Sequence, residues 1–469
     1  MSYDKLYING EWVESHNDEV IEVENPATKE IFATVPKGNK QDVDDAVKAA
    51  KEAYYSWKNT DFETRKEYLS KIREGIAKRK EEFEKTIRAE LGSSYDFTTK
   101  GQVELSLNEI KGVLDNADKI EFEESHDGFT LVREGIGVVA GITPWNYPLN
   151  QIQRKLSGAL LAGATMVIKP SSDTPLSAFL LAEVIDEVGL PKGVFNIVPG
   201  SGSEIGDYLA GHDDVRMVSF TGSTDVGKKL YEQAEKSVKK ISLELGGKSA
   251  NVVLENGDLE KAVNASMDTL TNNTGQSCSA LSRLFVPEDK KEEAEKLLKQ
   301  YVEEKVKIGD PEDEENTMGP VVSKDQYDRV LGYIEKGKEE GATVLIGGDT
   351  PDKKGYYINS TVFTDVKNDM TIAQEEIFGP VLSLLTYKDK DEALKMANDS
   401  EYGLSGAVFG DEEEAFSFAK QMETGTVILN GSKRSPAAPW GGYKQSGVGR
   451  EVGWFGIEEY TELKTIMKE

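Results

Sequence analysis

Apolar and polar residues follow different spacings in successive parts of the chain. Residues 1–40 contain short alternating segments separated by turns, which predict a small β structure. Over residues 41–120, apolar residues recur every three or four positions among many charges. This spacing predicts helices over Asp42–Trp57 and Thr64–Leu91.

From about residue 135, short apolar runs alternate with helical stretches. The runs predict strands over Gly135–Thr143, Ala164–Ile168, Val194–Val198, Val215–Phe220 and Lys240–Leu245. The helices predicted between and after them are Leu156–Ala162, Ser177–Val188, Glu204–Ala210 and Val226–Glu235. This alternation is typical of a parallel sheet, which binds ligands at the carboxyl ends of its strands.

A second region of the same kind follows. Its predicted strands are Val252–Leu254, Arg283–Val286 and Ala342–Ile346, and its predicted helices are Leu259–Leu270, Lys290–Val306 and Gln326–Gly341. The tail ends in an alternating segment, Tyr460–Met467, which we expect to be an edge strand.

The amino-acid composition disfavours or excludes several kinds of partner and site. The 469 residues include 56 basic and 84 acidic ones, a net charge of −28, which disfavours nucleic acid and anionic membranes as partners. The single cysteine, Cys278, excludes an intrachain disulfide and a cysteine cluster for a metal. His16, His126 and His212 lie among acidic or turn residues, so no metal is expected. The start lacks an apolar signal segment, and we expect a cytoplasmic protein.

Two glycine turns follow neighbouring predicted strands. The segment Gly222–Lys229 nearly matches a phosphate-binding loop of nucleotide hydrolases, but Lys229 stands where Ser or Thr would bind Mg²⁺, so triphosphate hydrolysis is disfavoured. Taken alone, it fits a diphosphate at a helix start as well as it fits a helix start without a ligand. With the second turn, Pro199–Gly206, it indicates a dinucleotide site of unusual spacing.

Three side chains carry candidate chemistry. Cys278 lies in a polar, glycine-bearing segment, which predicts a loop or a helix start, and a helix start would lower the pKa of its thiol. Glu244 ends an apolar strand, where it is either a general base with a raised pKa or a salt-bridge partner of Lys248. Asn146 lies between two prolines, which fits either a rigid amide donor for an oxyanion or an ordinary turn.

The whole chain, from Tyr7 to Thr465, resembles the NAD(P)-dependent aldehyde dehydrogenases. The blocks that carry the resemblance are Pro144–Pro148, Lys169–Pro170, Phe220–Thr224, Leu243–Lys248, Gly275–Cys278, Glu375–Pro380, Tyr402–Leu404 and Gly441–Gly447. The resemblance implies an α/β fold with a Rossmann-like cofactor-binding domain (residues 1–117 and 141–245) and an α/β catalytic domain (246–440). It also implies a small β oligomerisation segment (118–140 and 441–469), through which the chain would form a homodimer or homotetramer.

The resemblance also implies roles for individual residues. Cys278 would attack the aldehyde to give a thiohemiacetal and then a thioester, and Asn146 would hold the oxyanion with the Cys278 backbone N–H. Glu244 would activate the hydrolytic water, and Lys155 would relay protons. The residues implied to bind NAD or NADP are Ile142, Trp145, Lys169, Ser172, Gly202, Gly206, Phe220, Gly222, Ser223, Val226, Leu245, Glu376 and Phe378.

Two positions differ from common family members. Ser172 stands where many NAD-preferring members carry Glu, so either NADP is accepted or NAD use is simply retained. Gln151 and Arg154 lie at the expected substrate site. The Arg154 fork would suit an aldehyde that bears a distal acid, unless it pairs with an acid of the protein.

Two rival functions within the family's fold are a CoA-acylating aldehyde dehydrogenase and a non-catalytic relative. The presence of Glu244 argues against the first, because acylating members usually lack that base. The presence of Cys278, Glu244 and Asn146 together argues against the second.

Overall fold

Two large sheets organise the computed structural model, which describes residues 2–469 apart from the side chain of Lys236. The first sheet has eight strands in the spatial order Glu11–Val13, Leu6–Ile8, Phe195–Ile197, Thr165–Lys169, Val138–Ile142, Val215–Thr221, Lys240–Glu244 and Gly447–Val448. Its five central strands run parallel, as predicted, and the outer strands pair antiparallel.

The second sheet has seven strands. Their order is Thr343–Ile346, Thr361–Thr364, Val381–Tyr387, Arg283–Pro287, Ala250–Val253, Ser405–Phe409 and Thr426–Leu429, and all pairs are parallel except the first. A third, antiparallel sheet contains Glu123–His126, Phe129–Gly135 and Thr461–Met467. Two-stranded pairs join Val20–Asn25 to Glu30–Pro36 and Tyr402–Gly403 to Tyr443–Lys444.

Helices cover both faces of each large sheet and bury its apolar side chains. The α-helices are Lys40–Trp57, Phe62–Lys78, Lys80–Leu91, Tyr95–Phe97, Glu104–Asn116, Pro148–Ala162, Leu176–Val188, Asp207–Gly211, Thr224–Ala234, Leu259–Thr271, Lys291–Lys305, Lys324–Glu339, Thr371–Gln374, Lys390–Asn398, Glu412–Ala419 and Gly453–Glu458. Shorter π or 3₁₀ turns are Thr98–Val103, Ala117–Lys119, Gly202–Gly206, Glu235–Ser237, Asn272–Gly275 and Glu288–Lys290. The predicted α/β fold class is therefore confirmed.

Some elements differ from the sequence prediction. The helix predicted over Thr64–Leu91 is broken at Arg79, whose φ and ψ of −101° and 20° are not helical. Its guanidinium pairs with Glu82 on the next helix and with Glu183 on a third, which fixes the bend. The run predicted as one strand, Gly135–Thr143, is divided between the third and first sheets, because the chain turns through Gly137 at φ 118°.

The parallel strands of the first sheet end side by side. Ile142 pairs in register with Lys169 and with Phe220, and Thr221 pairs with Glu244. Beyond Glu244 the chain crosses within six residues to the strand Ala250–Val253 of the second sheet. The carboxyl edge of the first sheet is thus placed against the second sheet. Within residues 2–469, none of the helices combines the length and apolar content needed to cross a bilayer.

Candidate active site

A cavity of about 190 Å³ opens at this edge, between the first sheet and loops of the second. It is lined by Pro144, Trp145, Asn146, Gln151, Thr221, Gly222, Ser223, Leu245, Gly246, Cys278, Gln326, Arg329, Glu376 and Phe378. Residues predicted separately from five sequence blocks therefore meet in one place. The three histidines lie outside this lining, and no cluster of metal-ligating side chains occurs in the part of the chain that the structure describes.

Cys278 lies in a turn after the short helix Asn272–Gly275, and no helix begins there. Of the two settings predicted for Cys278, the loop is confirmed, and the helix start with its lowered thiol pKa is wrong. Burial, together with the nearby carboxylate of Glu376, raises the pKa of the Cys278 thiol to about 12. The thiol consequently rests protonated at neutral pH and needs a base to become nucleophilic.

The backbone before the cysteine is held in an unusual conformation. Asn273, Thr274 and Gly275 have φ values of 50°, 55° and 71°. A Cβ on Gly275 would lie 2.2 Å from the carbonyl oxygen of Gly379, so only glycine fits there. The Gln276 side chain adds two anchors, accepting from Val322 N at 2.9 Å and donating to the Asn273 carbonyl at 2.9 Å. The loop is thereby fixed relative to the cavity.

Asn146 is buried beside this loop. Its Nδ2 donates one N–H to the carbonyl oxygen of Gln276 at 3.1 Å. Its own backbone carbonyl accepts from the side chains of Gln102 and Asn273, both at 2.9 Å. An amide nitrogen carries two N–H donors, so Asn146 keeps one for a group in the cavity.

Glu244 ends its strand as a buried carboxylate. Neither carboxylate oxygen has a hydrogen-bond partner among the described residues. Burial, and then the neighbouring carboxylate of Glu451, raises the pKa of Glu244 well above its usual value. The alternative salt bridge to Lys248 does not form, since the Lys248 ammonium is also without a partner among those residues. Glu244 therefore has the properties of a general base rather than of a structural ion pair.

Lys155 is fully buried and donates to Glu451 Oε1 at 2.7 Å and to Thr221 Oγ1 at 2.8 Å. Glu451 was not predicted from the sequence, where it is one acid in a glycine-rich tail. The tail crosses the catalytic region because Trp440 and Glu451 pair through their backbones. A buried ion pair thus lies close enough to Glu244 to influence its ionisation.

Lys169 ends the strand Thr165–Lys169, and Ser172 follows it in the next loop. The Lys169 ammonium donates to the carbonyls of Pro170 at 2.8 Å and Gly200 at 2.9 Å, which leaves its third N–H free. Burial lowers the pKa of Lys169 to about 8. The Ser172 hydroxyl donates to the same Gly200 carbonyl at 3.2 Å, and Gly202 faces open space. These groups could hold the hydroxyls of a ribose.

Glu376 and Phe378 line the cavity from a loop that precedes the strand Val381–Tyr387 of the second sheet. Glu376 Oε1 accepts from Gly247 N at 3.0 Å, and burial raises the pKa of this carboxyl to about 7. Phe378 has a left-handed φ of 61°, and its ring meets Trp145 edge-on at 5.3 Å. The backbone carbonyls of both residues are held by side chains that the sequence did not single out, Gln326 and Arg329, each at 2.7 Å.

The remaining predicted cofactor residues surround the helix Thr224–Ala234. Ser223 caps this helix by accepting from Val226 N at 3.4 Å, and Gly222 N donates to the Glu244 carbonyl at 3.0 Å. The free N–H groups of a helix start favour an anion such as a diphosphate. Ile142, Phe220, Leu245 and Gly206 are buried around it, whereas Val226 is exposed.

Arg154 does not present a free fork to the cavity. Its Nε and Nη2 both donate to the carboxylate of Glu109 at 2.7 Å, so it pairs with an acid of the protein. Gln151, its neighbour on the same helix, lines the cavity with its Oε1 buried and without a partner among the described residues. The carboxylate clamp expected from Arg154 is therefore already occupied.

Replacing Glu109 by Gln should destabilise the protein strongly. Glu109 also accepts from Arg434, and the two guanidinium groups hold the pKa of this carboxyl down at about 2. Leaving two buried cations without their anion should cost about 3–5 kcal/mol of unfolding free energy, measured by urea denaturation at neutral pH. The pKa of the Glu109 carboxyl is lower in the folded protein than in the unfolded chain. The extra unfolding free energy of the wild type should therefore be fully present above the unfolded-state pKa and should decrease as the pH falls toward 2. An equal midpoint for Glu109→Gln and for the exposed control Glu30→Gln would contradict this role.

Known proteins resemble the chain over nearly its full length. The model of the aldehyde dehydrogenase family matches residues 12–466. A Staphylococcus aureus (strain USA300) protein whose name provisionally calls it an aldehyde dehydrogenase is 47% identical over 99% of this chain and 98% of its own.

Solved structures agree with this. A variant of aldehyde dehydrogenase C from Pseudomonas syringae, in complex with NAD⁺ and octanal, is 42% identical with a TM-score of 0.97, over 99% of this chain and 96% of that one. The Mycobacterium tuberculosis aldehyde dehydrogenase complexed with NAD⁺ is 40% identical with a TM-score of 0.98, over 100% and 99% of the two chains. With the family model, the sequence relative and these structures in agreement over almost every residue, the chain belongs to the aldehyde dehydrogenase family.

Proposed function

We propose that this protein oxidises an aldehyde to a carboxylic acid with NAD⁺ or NADP⁺, using Cys278 as the nucleophile. The observation that carries the proposal is that Cys278 and Asn146 line the same cavity, which brings together a thiol and an amide that keeps a free N–H. A nucleophile and a fixed donor for an oxyanion are what attack on a carbonyl requires.

The residues at the strand edge fit a nicotinamide dinucleotide. Lys169 retains a free N–H, the half-buried Glu376 carboxylate has an oxygen without an assigned donor, and Gly202 leaves open space at the expected diphosphate turn. Lys169 and Glu376 would hold the two riboses, Ser223 and Gly222 the diphosphate, and Phe378 the nicotinamide side. When bound, NAD(P)⁺ supplies the acceptor for the hydride that leaves the thiohemiacetal carbon. The related structures with NAD⁺ support this assignment.

The protein's own groups perform the remaining steps. The Cys278 thiol gives its proton to solvent water and the thiolate attacks the aldehyde carbon, while the free N–H of Asn146 and the Cys278 backbone N–H stabilise the resulting oxyanion. After oxidation to a thioester, Glu244 takes a proton from water, the resulting hydroxide attacks the thioester carbon, and the C–S bond breaks to release the acid and the Cys278 thiolate. The Glu451 carboxylate, to which Lys155 donates, would accept that proton from Glu244. This route needs no coenzyme A.

The arrangement of the chain fits the predicted domains, which remain a proposal. Residues 1–117 and 141–245 would bind the cofactor and residues 246–440 would carry the nucleophile. Residues 118–140 and 441–469 would form the oligomerisation segment, although Gly447–Val448 pairs with the first sheet. The strand Thr461–Met467 exposes Leu463, Ile466 and Met467, which supports assembly of a homodimer or homotetramer through the third sheet. A cytoplasmic location also stays a prediction.

The proposed function is tested by following cofactor reduction by the purified protein with a short aldehyde. We expect turnover with NAD⁺ or NADP⁺, no acceleration by added coenzyme A, and release of the free acid. Reduction that required coenzyme A would support the acylating alternative and contradict the role of Glu244.

Ser172 offers a separate test of cofactor choice. Ser172→Glu should lower kcat/KM with NADP⁺ relative to NAD⁺ by about tenfold or more, because a carboxylate there would repel a 2′-phosphate. The matched control is Ser171→Glu, which adds the same charge one residue away. An unchanged NADP⁺/NAD⁺ ratio in Ser172→Glu would show that this position does not set the choice of cofactor.

A further inference from the structure

Two arginines and one glutamate form a buried cluster next to the active site. Glu109 accepts from Nε and Nη2 of Arg154, both at 2.7 Å, and from Nη1 of Arg434 at 2.9 Å. The amides of Asn150 and Gln153 add donors at 2.9 Å and 3.2 Å. Both oxygens of the Glu109 carboxylate thus accept hydrogen bonds from side chains of the protein.

The charges of this cluster do not balance. Arg154 and Arg434 carry two positive charges and Glu109 carries one negative charge, and its low pKa keeps it ionised. The neighbouring Lys155 and Glu451 form a neutral pair, and the raised pKa of the nearby Glu244 favours its uncharged form, so these groups do not offset the excess. One uncompensated cation in a largely buried place is costly unless an anion joins it.

The two arginines lie near the ring of Trp440, which belongs to the apolar cluster that contacts Cys278. The guanidinium carbons of Arg434 and Arg154 lie 4.6 Å and 5.6 Å from the centre of the Trp440 ring. Trp440 in turn packs with Leu404 and Val452 in the cluster against which Cys278 lies. Cys278 lies close enough to Arg434 to influence the pKa of its guanidinium.

Arg434 has donors to spare and is the more accessible of the two arginines. Its Nε is buried without a hydrogen-bond partner among the described residues, while Nη1 serves Glu109 and Nη2 donates to the Ala438 carbonyl at 3.4 Å. About a fifth of its side chain remains accessible, compared with 8% for Arg154. The loop that carries it is fixed, because Pro436 packs on Gly112, where a Cβ would lie 2.5 Å from the Pro436 carbonyl oxygen.

We propose that Arg434 is a specificity-determining residue that binds a carboxylate at the far end of the aldehyde substrate. This inference rests on the proposed function and transfers the acid-binding role from Arg154, which is engaged by Glu109. A distal carboxylate would supply the missing negative charge and accept from the terminal N–H groups of Arg434 that Glu109 and the Ala438 carbonyl leave unused. Glu109 and Arg154 then act as positioning residues that hold Arg434.

The test compares succinic semialdehyde with pentanal, a neutral aldehyde of similar length. The wild type should have the higher kcat/KM for succinic semialdehyde. Arg434→Gln should lower that value by about 10- to 100-fold, as expected for losing one hydrogen bond to a charged group, and change the value for pentanal little. Lys433→Gln is the matched control, because it removes a charge from an exposed side chain of the same loop. An equal loss for both aldehydes, a wild-type preference for pentanal, or the same selective loss in Lys433→Gln would overturn the inference.

A second measurement does not depend on turnover. Since Cys278 is the only cysteine, its alkylation by iodoacetamide can be followed by mass spectrometry. Succinate should slow the alkylation of the wild type and of Lys433→Gln but not of Arg434→Gln. If neither aldehyde is oxidised, the proposed function fails while this measurement still decides the role of Arg434. Equal protection in all three proteins would contradict it.

Discussion

Cys278→Ala is expected to abolish aldehyde oxidation, lowering kcat by roughly 10⁴-fold or more while cofactor binding persists. The reason is chemical, because without the thiol no covalent intermediate forms and the aldehyde must react with water alone. The position tolerates the change structurally, since the preceding loop is held by Gly275 and by the side chain of Gln276. The measurement is steady-state cofactor reduction, with fluorescence titration of NADH to show that the cofactor site is intact.

The control for this variant is Ser417→Ala, which makes a change of similar size at an exposed position of the helix Glu412–Ala419 and should retain full activity. The alkylation rate of wild-type Cys278 should rise with pH above neutrality, because burial keeps the thiol protonated. Turnover that survives Cys278→Ala would refute the covalent mechanism. A rate of alkylation already at its maximum at neutral pH would contradict the protonated resting thiol.

Glu244→Gln is expected to allow a first turnover and then to stall, with steady-state kcat reduced by about 10²- to 10⁴-fold. The amide has nearly the same shape but cannot take a proton from water, so the thioester should accumulate on Cys278. A rapid burst of cofactor reduction followed by a slow phase would report this. In the wild type, kcat should rise with pH, because the buried Glu244 must lose its proton to act and its pKa is raised.

Stability provides an independent control for Glu244→Gln. A raised pKa in the folded state means that ionising this carboxyl above its ordinary pKa opposes folding, so the uncharged amide should unfold at an equal or higher temperature. Loss of activity with a lower melting temperature would indicate misfolding rather than loss of a base. Equal loss of the burst and of the steady-state rate would place Glu244 before thioester hydrolysis instead.

Much of this molecule follows from the sequence because its signals are local. Short apolar runs, buried on both faces, predicted the central strands of the first sheet within a residue or two, from Thr165–Lys169 to Lys240–Glu244. Glycine and proline mark the turns at the strand ends, where Asn146 and Ser223 lie. The sequence blocks around Cys278 and Glu244 indicated the family resemblance and the candidate catalytic groups.

Tertiary structure decided what depends on partners distant in the chain. It placed Arg79 at a bend by pairing it with Glu183, and it seated Cys278 in a desolvated turn beside Glu376, where the thiol pKa is raised rather than lowered as a helix start would have done. It also brought Glu451 to Lys155 and Arg434 to Glu109 across some 300 residues. The sequence alone determined which chemical groups are present and which strands they follow. Their charge states and partners could only be decided by packing, because desolvation and ion pairing depend on contacts that no local pattern encodes.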